Sequence, residues 1–201
     1  MPIVIYKGQE FQVHPKVYKP AEDSFLLLNN LDIKKGEKAL ELGTGCGIIS
    51  IVGAKSEAEF IATDISSKAL SCAKENAKNH QVEEKIEFRK GNLFQPIGNE
   101  RFDLIIFNPP YLPVSGDETL DNNLDAAWNG GRNGRKFIDK FLNQIQNYLK
   151  SKWRFFFVQS SLSGIQETQE ILKKKNFQFS TKTKKISFEK LYLFMVEKKT
   201  Q

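Results

Sequence analysis

The nine residues "ALELGTGCG", Ala39 to Gly47, constrain this chain more than any other stretch. An apolar run ends there in three glycines at alternate positions, and a second apolar run, "IISIV", follows at once. Glycine lets the backbone turn sharply and lets a ligand come close, while a helix N-terminus beyond it offers free N–H donors. A strand feeding a helix through so short a turn opens a βαβ unit, and the same alternation continues downstream. Hydrophobic patterning predicts strands at 38–42, 59–63, 85–89, 102–107, 153–158, 176–181 and 188–196, with helices at 47–55, 67–79, 135–149 and 163–175. Such alternation predicts an α/β fold with a mostly parallel sheet covered on both faces. The last two strands are joined only by a tight turn and are expected to be antiparallel. Ahead of this core, "IVIYKGQEFQV" reads as a hairpin turning at Lys7-Gly8. Pro20, followed by Glu22 and Asp23, starts a helix whose buried face is Phe25 to Leu28. The 201 residues are expected to form one domain, with the hairpin and helix at 1–34 and the core at 35–201.

Composition narrows the function. Cys46 and Cys72 lie in unrelated contexts and make no disulfide framework, which points to a reducing, cytoplasmic location. His14 and His80 lack partners at ligand spacing, so no metal site is expected. No apolar run approaches the ~18 residues of a membrane span, and none resembles a signal peptide. Residues 151–201 carry 11 Lys and Arg against 4 Asp and Glu, whereas the whole chain has a net charge of +6. That basic end either contacts nucleic acid or forms a solvated face.

The glycine turn is not a nicotinamide site, because G-x-G-x-x-G would place glycine where Ile48 stands. Glu41 beside the turn would repel a pyrophosphate but suits the cationic amine of a methionine moiety. Asp64, 17 residues after Gly47, ends the next strand, where a carboxylate can accept both hydroxyls of a ribose. Asn92 follows the third strand and can accept a bond from an adenine amine. The tetrapeptide Asn108-Pro109-Pro110-Tyr111 ends the strand "RFDLIIF" at the carboxyl edge of the sheet, where open α/β sheets bind ligands. A planar NH2 on an sp2 carbon is a poor nucleophile because its lone pair is delocalised. Acceptors aimed at its hydrogens, the Asn108 side-chain oxygen and the Pro109 carbonyl, return electron density to nitrogen and orient it. The two prolines fix the backbone, and Tyr111 stacks on the planar target.

Together these motifs resemble the class I S-adenosylmethionine-dependent methyltransferases. "VYKPAEDSFLLL" (Val17 to Leu28) and "AAWNGGRNGRKFIDKF" (Ala126 to Phe141) further resemble the archaeal and eukaryotic branch of the HemK-type protein methyltransferases. The resemblance covers essentially the whole chain. It implies a Rossmann-like, seven-stranded sheet of order 3-2-1-4-5-7-6, with the N-terminal hairpin and helix outside it. It implies that Ser24, Glu41, Gly43, Thr44, Gly45, Gly47, Asp64, Ile65, Asn92, Leu93 and Asn108 contact S-adenosylmethionine, which leaves as S-adenosylhomocysteine. It implies that Asn108 to Tyr111, with Trp128, Arg132 and Arg135, meet the substrate, the glutamine of a Gly-Gly-Gln motif in a class 1 translation release factor. "GGRNGR" reads as a flexible loop opening a helix at Arg135, with both arginines free to hold substrate carbonyls. The family also implies a small zinc-binding activator covering an edge of the sheet, here the strand at 85–90. The tetrapeptide alone admits other planar amines, so RNA or DNA adenine is the alternative substrate and protein lysine a lesser one. A silent scaffold is the non-enzyme reading.

Overall fold

The computed structural model describes residues 1–114 and 128–199. In chain order the elements are β1 (Ile3–Tyr6), β2 (Gln9–Gln12), α1 (Glu22–Leu28), β3 (Lys38–Leu42), α2 (Ile48–Ala54), β4 (Glu59–Asp64), α3 (Ser67–Asn79) and β5 (Ile86–Lys90). They continue with β6 (Phe102–Phe107), α4 (Lys136–Gln144), β7 (Leu149–Ser160), α5 (Ile165–Lys174), β8 (Gln178–Ile186) and β9 (Glu189–Glu197). Seven strands form one sheet in the order β5-β4-β3-β6-β7-β9-β8, which is the expected order. Strands β5 through β7 are parallel, and β9 runs antiparallel to both β7 and β8.

Alternation along the central strands divides the core into two layers. Ala39, Leu104, Ile106, Phe156 and Val158 face the layer that holds Leu27, Ile48 and Ile51 of α1 and α2. Leu40, Leu42, Ile105, Phe107, Phe155 and Phe157 face the layer that holds Ile138, Phe141 and Leu172 of α4 and α5. Phe141 centres that second layer, its ring 5.1 Å from Phe107, 5.7 Å from Phe155, 5.6 Å from Phe157 and 5.9 Å from Phe94. The first of these fixes the strand end that leads into the tetrapeptide.

The hairpin β1–β2 turns at Lys7 (φ 48°) and Gly8 (φ 75°), two left-handed residues that suit the twist of a two-residue connection. Buried Asn76 of α3 ties it to the core. Its Oδ1 accepts the Gln12 N–H at 2.9 Å, and its Nδ2 donates to the carbonyls of Gln12 and Cys46, each at 2.8 Å. The Cys46 carbonyl belongs to the glycine turn, so the hairpin braces that turn from behind.

Two boundaries differ from expectation. The third core helix, α4, stops at Gln144 and tightens into a 3-10 turn over Ile145–Tyr148, so β7 begins at Leu149 rather than 153. β-branched Ile145 and Asn147 are weak helix formers. Strand β8 runs on to Ile186, because "STKTKK" suits an outer edge: nearly all of it is exposed, and its lysines discourage further strand pairing. Among the described residues no helix is long and apolar enough to cross a membrane, and no cluster of His, Cys, Asp and Glu could hold a metal.

Candidate active site

A cavity of about 810 Å3 opens at the carboxyl edge of β3, β4 and β6, within the range typical of small-molecule sites. Its two halves are built differently. One is bounded by the glycine turn and the ends of β4 and β5. The other is bounded by α1, the tetrapeptide, the 128–129 segment and the start of β9.

In the first half Gly43 (φ 68°) and Gly45 (φ 56°) both adopt left-handed backbone, and at Gly45 the space a Cβ would occupy is open. Glu41 is 2% exposed and accepts from Thr44 Oγ1 at 2.8 Å and Ser50 N at 3.0 Å. Burial pushes its carboxyl up to about 7, against the opposing pull of those hydrogen bonds. Asp64 accepts the Gly45 N–H at 3.0 Å on Oδ2 and the Ser66 N–H at 2.8 Å on Oδ1, so it pins the turn while lining the cavity. Burial raises its carboxyl as well. Thr44, Ile65, Asn92 and Leu93 complete this half. Gly47 is not among the lining residues. A Cβ there would stand 2.9 Å from Ala73 Cβ, so the close packing of α2 on α3 requires this glycine.

The second half is organised by Asp23, which sequence reading treated only as a helix-starting acid. It is 4% exposed and gathers five donors. Ser24 N donates to Oδ1 at 2.6 Å, Ser24 Oγ to Oδ1 at 3.2 Å, and Tyr18 Oη to both oxygens at 2.9 Å. Tyr111 Oη donates to Oδ2 at 3.1 Å, and Asn108 Nδ2 to the same oxygen at 3.0 Å. The last bond fixes the Asn108 amide, because turning it over would set its carbonyl oxygen against a carboxylate. Asn108 Oδ1 is thereby left buried and without a hydrogen-bond partner among the described residues. Burial first, then the charge of Asp23, holds the Tyr18 and Tyr111 phenols protonated. Pro109, Pro110 and Trp128 line the cavity beside them.

The stretch after Trp128 is a brace rather than a loose loop. The Leu112 N–H donates to the Trp128 carbonyl at 3.0 Å, Gly130 N–H to Leu112 O at 2.9 Å and Val114 N–H to Gly131 O at 3.1 Å. At Gly134 (φ 71°) a Cβ would lie 2.3 Å from the Tyr111 carbonyl oxygen, so only glycine admits the contact. Arg135, expected to meet substrate, is turned away from the cavity and does not line it. It is 5% exposed, and its Nη1 donates to the Ser163 and Gly164 carbonyls at 2.9 and 2.5 Å and to Thr168 Oγ1 at 2.9 Å. Its Nη2 pairs with Asp139 at 2.7 Å. Arg135 thus locks the start of α4, which opens at Lys136, onto the loop before α5. Arg132 is exposed and does not line the cavity. Ala126 and Ala127 of the family-like stretch lie outside the described residues.

Sheet order, glycine turn, paired acids and an asparagine-proline clamp define a class I methyltransferase. The sequence from 13 to 126 matches the family model of the methyltransferase small domain. The chain is 43% identical over 191 residues to a putative protein N5-glutamine methyltransferase of Methanocaldococcus jannaschii, covering 94% of this chain and 95% of that protein. It is 35% identical over 176 residues to human methyltransferase HEMK2, covering 82% and 81%. The Mtq2 subunit of the E. cuniculi Mtq2–Trm112 complex shares the fold, with a TM-score of 0.69 and 23% identity over 92% of this chain and 99% of that one. The chain belongs to the methyltransferase small-domain family, in its HemK-type branch.

Two outcomes follow from this geometry. Arg135→Ala removes three buried hydrogen bonds from a charged donor, to the Ser163 and Gly164 carbonyls and to Thr168 Oγ1, so it should lower unfolding free energy by about 3 kcal/mol in urea titrations. Arg132→Ala should leave it unchanged within roughly 0.5 kcal/mol. For Glu41 the folded carboxyl titrates near 7 against an ordinary 4.5, so the folded state holds the extra proton in between. Stability from this group is therefore complete below 4.5 and lost as pH rises toward 7. Relative to Glu41→Gln, the wild-type protein should lose on the order of 3 kcal/mol over that window, and parallel pH dependence in both proteins would contradict it.

Proposed function

We propose that this protein transfers a methyl group from S-adenosylmethionine to the side-chain amide nitrogen of a glutamine, the glutamine of a Gly-Gly-Gln motif in a class 1 release factor. The observation that carries this reading is Asn108 Oδ1, a buried acceptor without a partner among the described residues, held in place through Asp23. A buried unpaired acceptor costs about 1–3 kcal/mol, and an incoming N–H recovers it. An amide NH2 is such a donor, and Tyr111 and the two prolines line the cavity beside Asn108.

The residues of the other half fit S-adenosylmethionine. Glu41 suits its ammonium, Asp64 its ribose hydroxyls, and Ile65, Leu93 and Asn92 its adenine, with the open face of Gly45 admitting close approach. When bound, the cofactor supplies a methyl group on a positively charged sulfur. Asn108 orients the target nitrogen toward it and draws on one amide hydrogen, which raises electron density on nitrogen. On accepting the methyl group the amide nitrogen would become acidic and would release its proton to water, so Asn108 needs no strong base beside it.

The relatives support a glutamine target, since the Methanocaldococcus protein is named a protein N5-glutamine methyltransferase. Mtq2–Trm112 is described as methylating the eRF1 translation termination factor. The exposed lysines of β8 keep RNA as the competing substrate. We further propose a small zinc-binding partner on β5, an open edge where Ile86 is buried and Phe88 half-buried and where β8's run of lysines has no counterpart.

Incubation with labelled methyl donor and release factor, its Gln→Ala variant, or bulk RNA tests the substrate. Label is expected only on the unaltered factor, and label on RNA alone would overturn the reading. Asn108→Ala should reduce turnover roughly 10²–10³-fold with cofactor affinity largely retained; undiminished turnover would remove Asn108 from its role. Co-expression with the cognate small zinc protein should raise soluble yield and give co-elution, and neither occurring would argue against the β5 interface.

A further inference from the structure

The half of the cavity away from the glycine turn holds a carboxylate that no step above uses. Glu189 is the first residue of β9, which runs antiparallel to β7 and so begins at the same sheet edge where β6 ends in the tetrapeptide. In the sheet order only β7 separates β9 from β6, whereas β3 and β4, which carry Glu41 and Asp64, lie on the far side of β6. Glu189 therefore belongs to the acceptor half of the site. It is 8% exposed, lines the cavity, and its Oε2 has no hydrogen-bond partner among the described residues. Its charge reaches the phenols of both Tyr18 and Tyr111, adding to burial and to Asp23 in keeping them protonated.

A carboxylate removed from water is costly unless it is paired. Asp23 meets that demand internally with donors from four residues. Glu189 Oε2 has no such donor among the described residues, and an N–H entering with the substrate would supply one. The proposed target stands next to glycines, which have no side chains, and what they present is peptide N–H and carbonyl groups. A site that selects a glycine-flanked glutamine needs an acceptor for those N–H groups beside the acceptor for the amide. We propose that Glu189 accepts a backbone N–H of the glycine segment adjoining the target glutamine, and so sets substrate specificity by aligning the amide on Asn108. This rests on the proposed glutamine substrate.

The test compares Glu189→Ala and Glu189→Gln in the active enzyme, with its partner where one is required, on release factor as substrate. Glu189→Ala should raise KM tenfold or more while kcat changes less than threefold, and its Kd for S-adenosylmethionine should stay at the wild-type value. Glu189→Gln retains an acceptor oxygen and should bring KM back to within about threefold of wild type. An unmoved KM in Glu189→Ala would overturn the proposal. Failure of Glu189→Gln to improve on Glu189→Ala would also overturn it, because that pattern marks a contact to a cation rather than to a neutral N–H. A wild-type enzyme that leaves the release factor unlabelled would instead sink the glutamine substrate itself, so the two failures are distinct.

Discussion

The hydrogen bond from Asn108 Nδ2 to Asp23 Oδ2 is the interaction on which the acceptor half of the site depends. An asparagine amide free to turn over would present donor and acceptor to the cavity in turn. Pairing with a carboxylate removes that freedom, and the tetrapeptide becomes an acceptor in one orientation. Asp23 sits in the first turn of α1, so the N-terminal segment forms a wall of the active site rather than an appendage to the core. Tyr18 and Ser24, from the same segment, supply further donors that hold the Asp23 carboxylate in place. The hairpin acts on the other half in the same way, through Asn76 and the Cys46 carbonyl. Each half of the cavity is thus held by a buried polar contact reaching in from outside the sheet.

Much of this was legible in the sequence because spacing carries geometry in a parallel sheet. Strand, turn and crossover helix place Glu41, Asp64 and Asn108 at one edge without knowledge of any contact, and the sheet order follows the expected one. What sequence reading missed were residues whose role is set by a distant partner. An acid at a helix start has an ordinary explanation in the helix dipole, and nothing local marks Asp23 as the receiver of a bond from Asn108, 85 positions away. Glu189 reads as one polar residue in an alternating strand; only the antiparallel return of β9 brings it beside the tetrapeptide.

The glycine- and arginine-containing stretch shows the opposite error. Arginine between glycines suggests an exposed, mobile hand for a substrate, and Arg132 is exposed. Arg135, three residues on, points inward, where the Ser163 and Gly164 carbonyls of the loop before α5 and Thr168 Oγ1 converge on its guanidinium. A guanidinium has five donors in a fixed fork and can close such a group of acceptors where lysine could not. Gly134 then matters for the same assembly, admitting the Tyr111 carbonyl where a side chain would push the tetrapeptide away.

A site that leaves Asn108 Oδ1 and Glu189 Oε2 without partners among the described residues carries a free-energy cost of about 1–3 kcal/mol for each, a large share of the 5–15 kcal/mol typical of a domain. The frame that sustains it lies directly behind the tetrapeptide. Phe107, the residue before Asn108, packs on Phe141, and Phe141 in turn meets rings from β7 and from the segment after β5. Phenylalanine has only two side-chain torsions and buries a large apolar area, so this layer is both stabilising and stiff. Stiffness has a direct consequence for the chemistry. An acceptor already fixed in direction spends little of the substrate's binding free energy on its own ordering, and more of that energy remains to align the amide nitrogen. The 16 phenylalanines thus do more than fill an interior: those in this layer hold the end of β6 where the asparagine oxygen must stay.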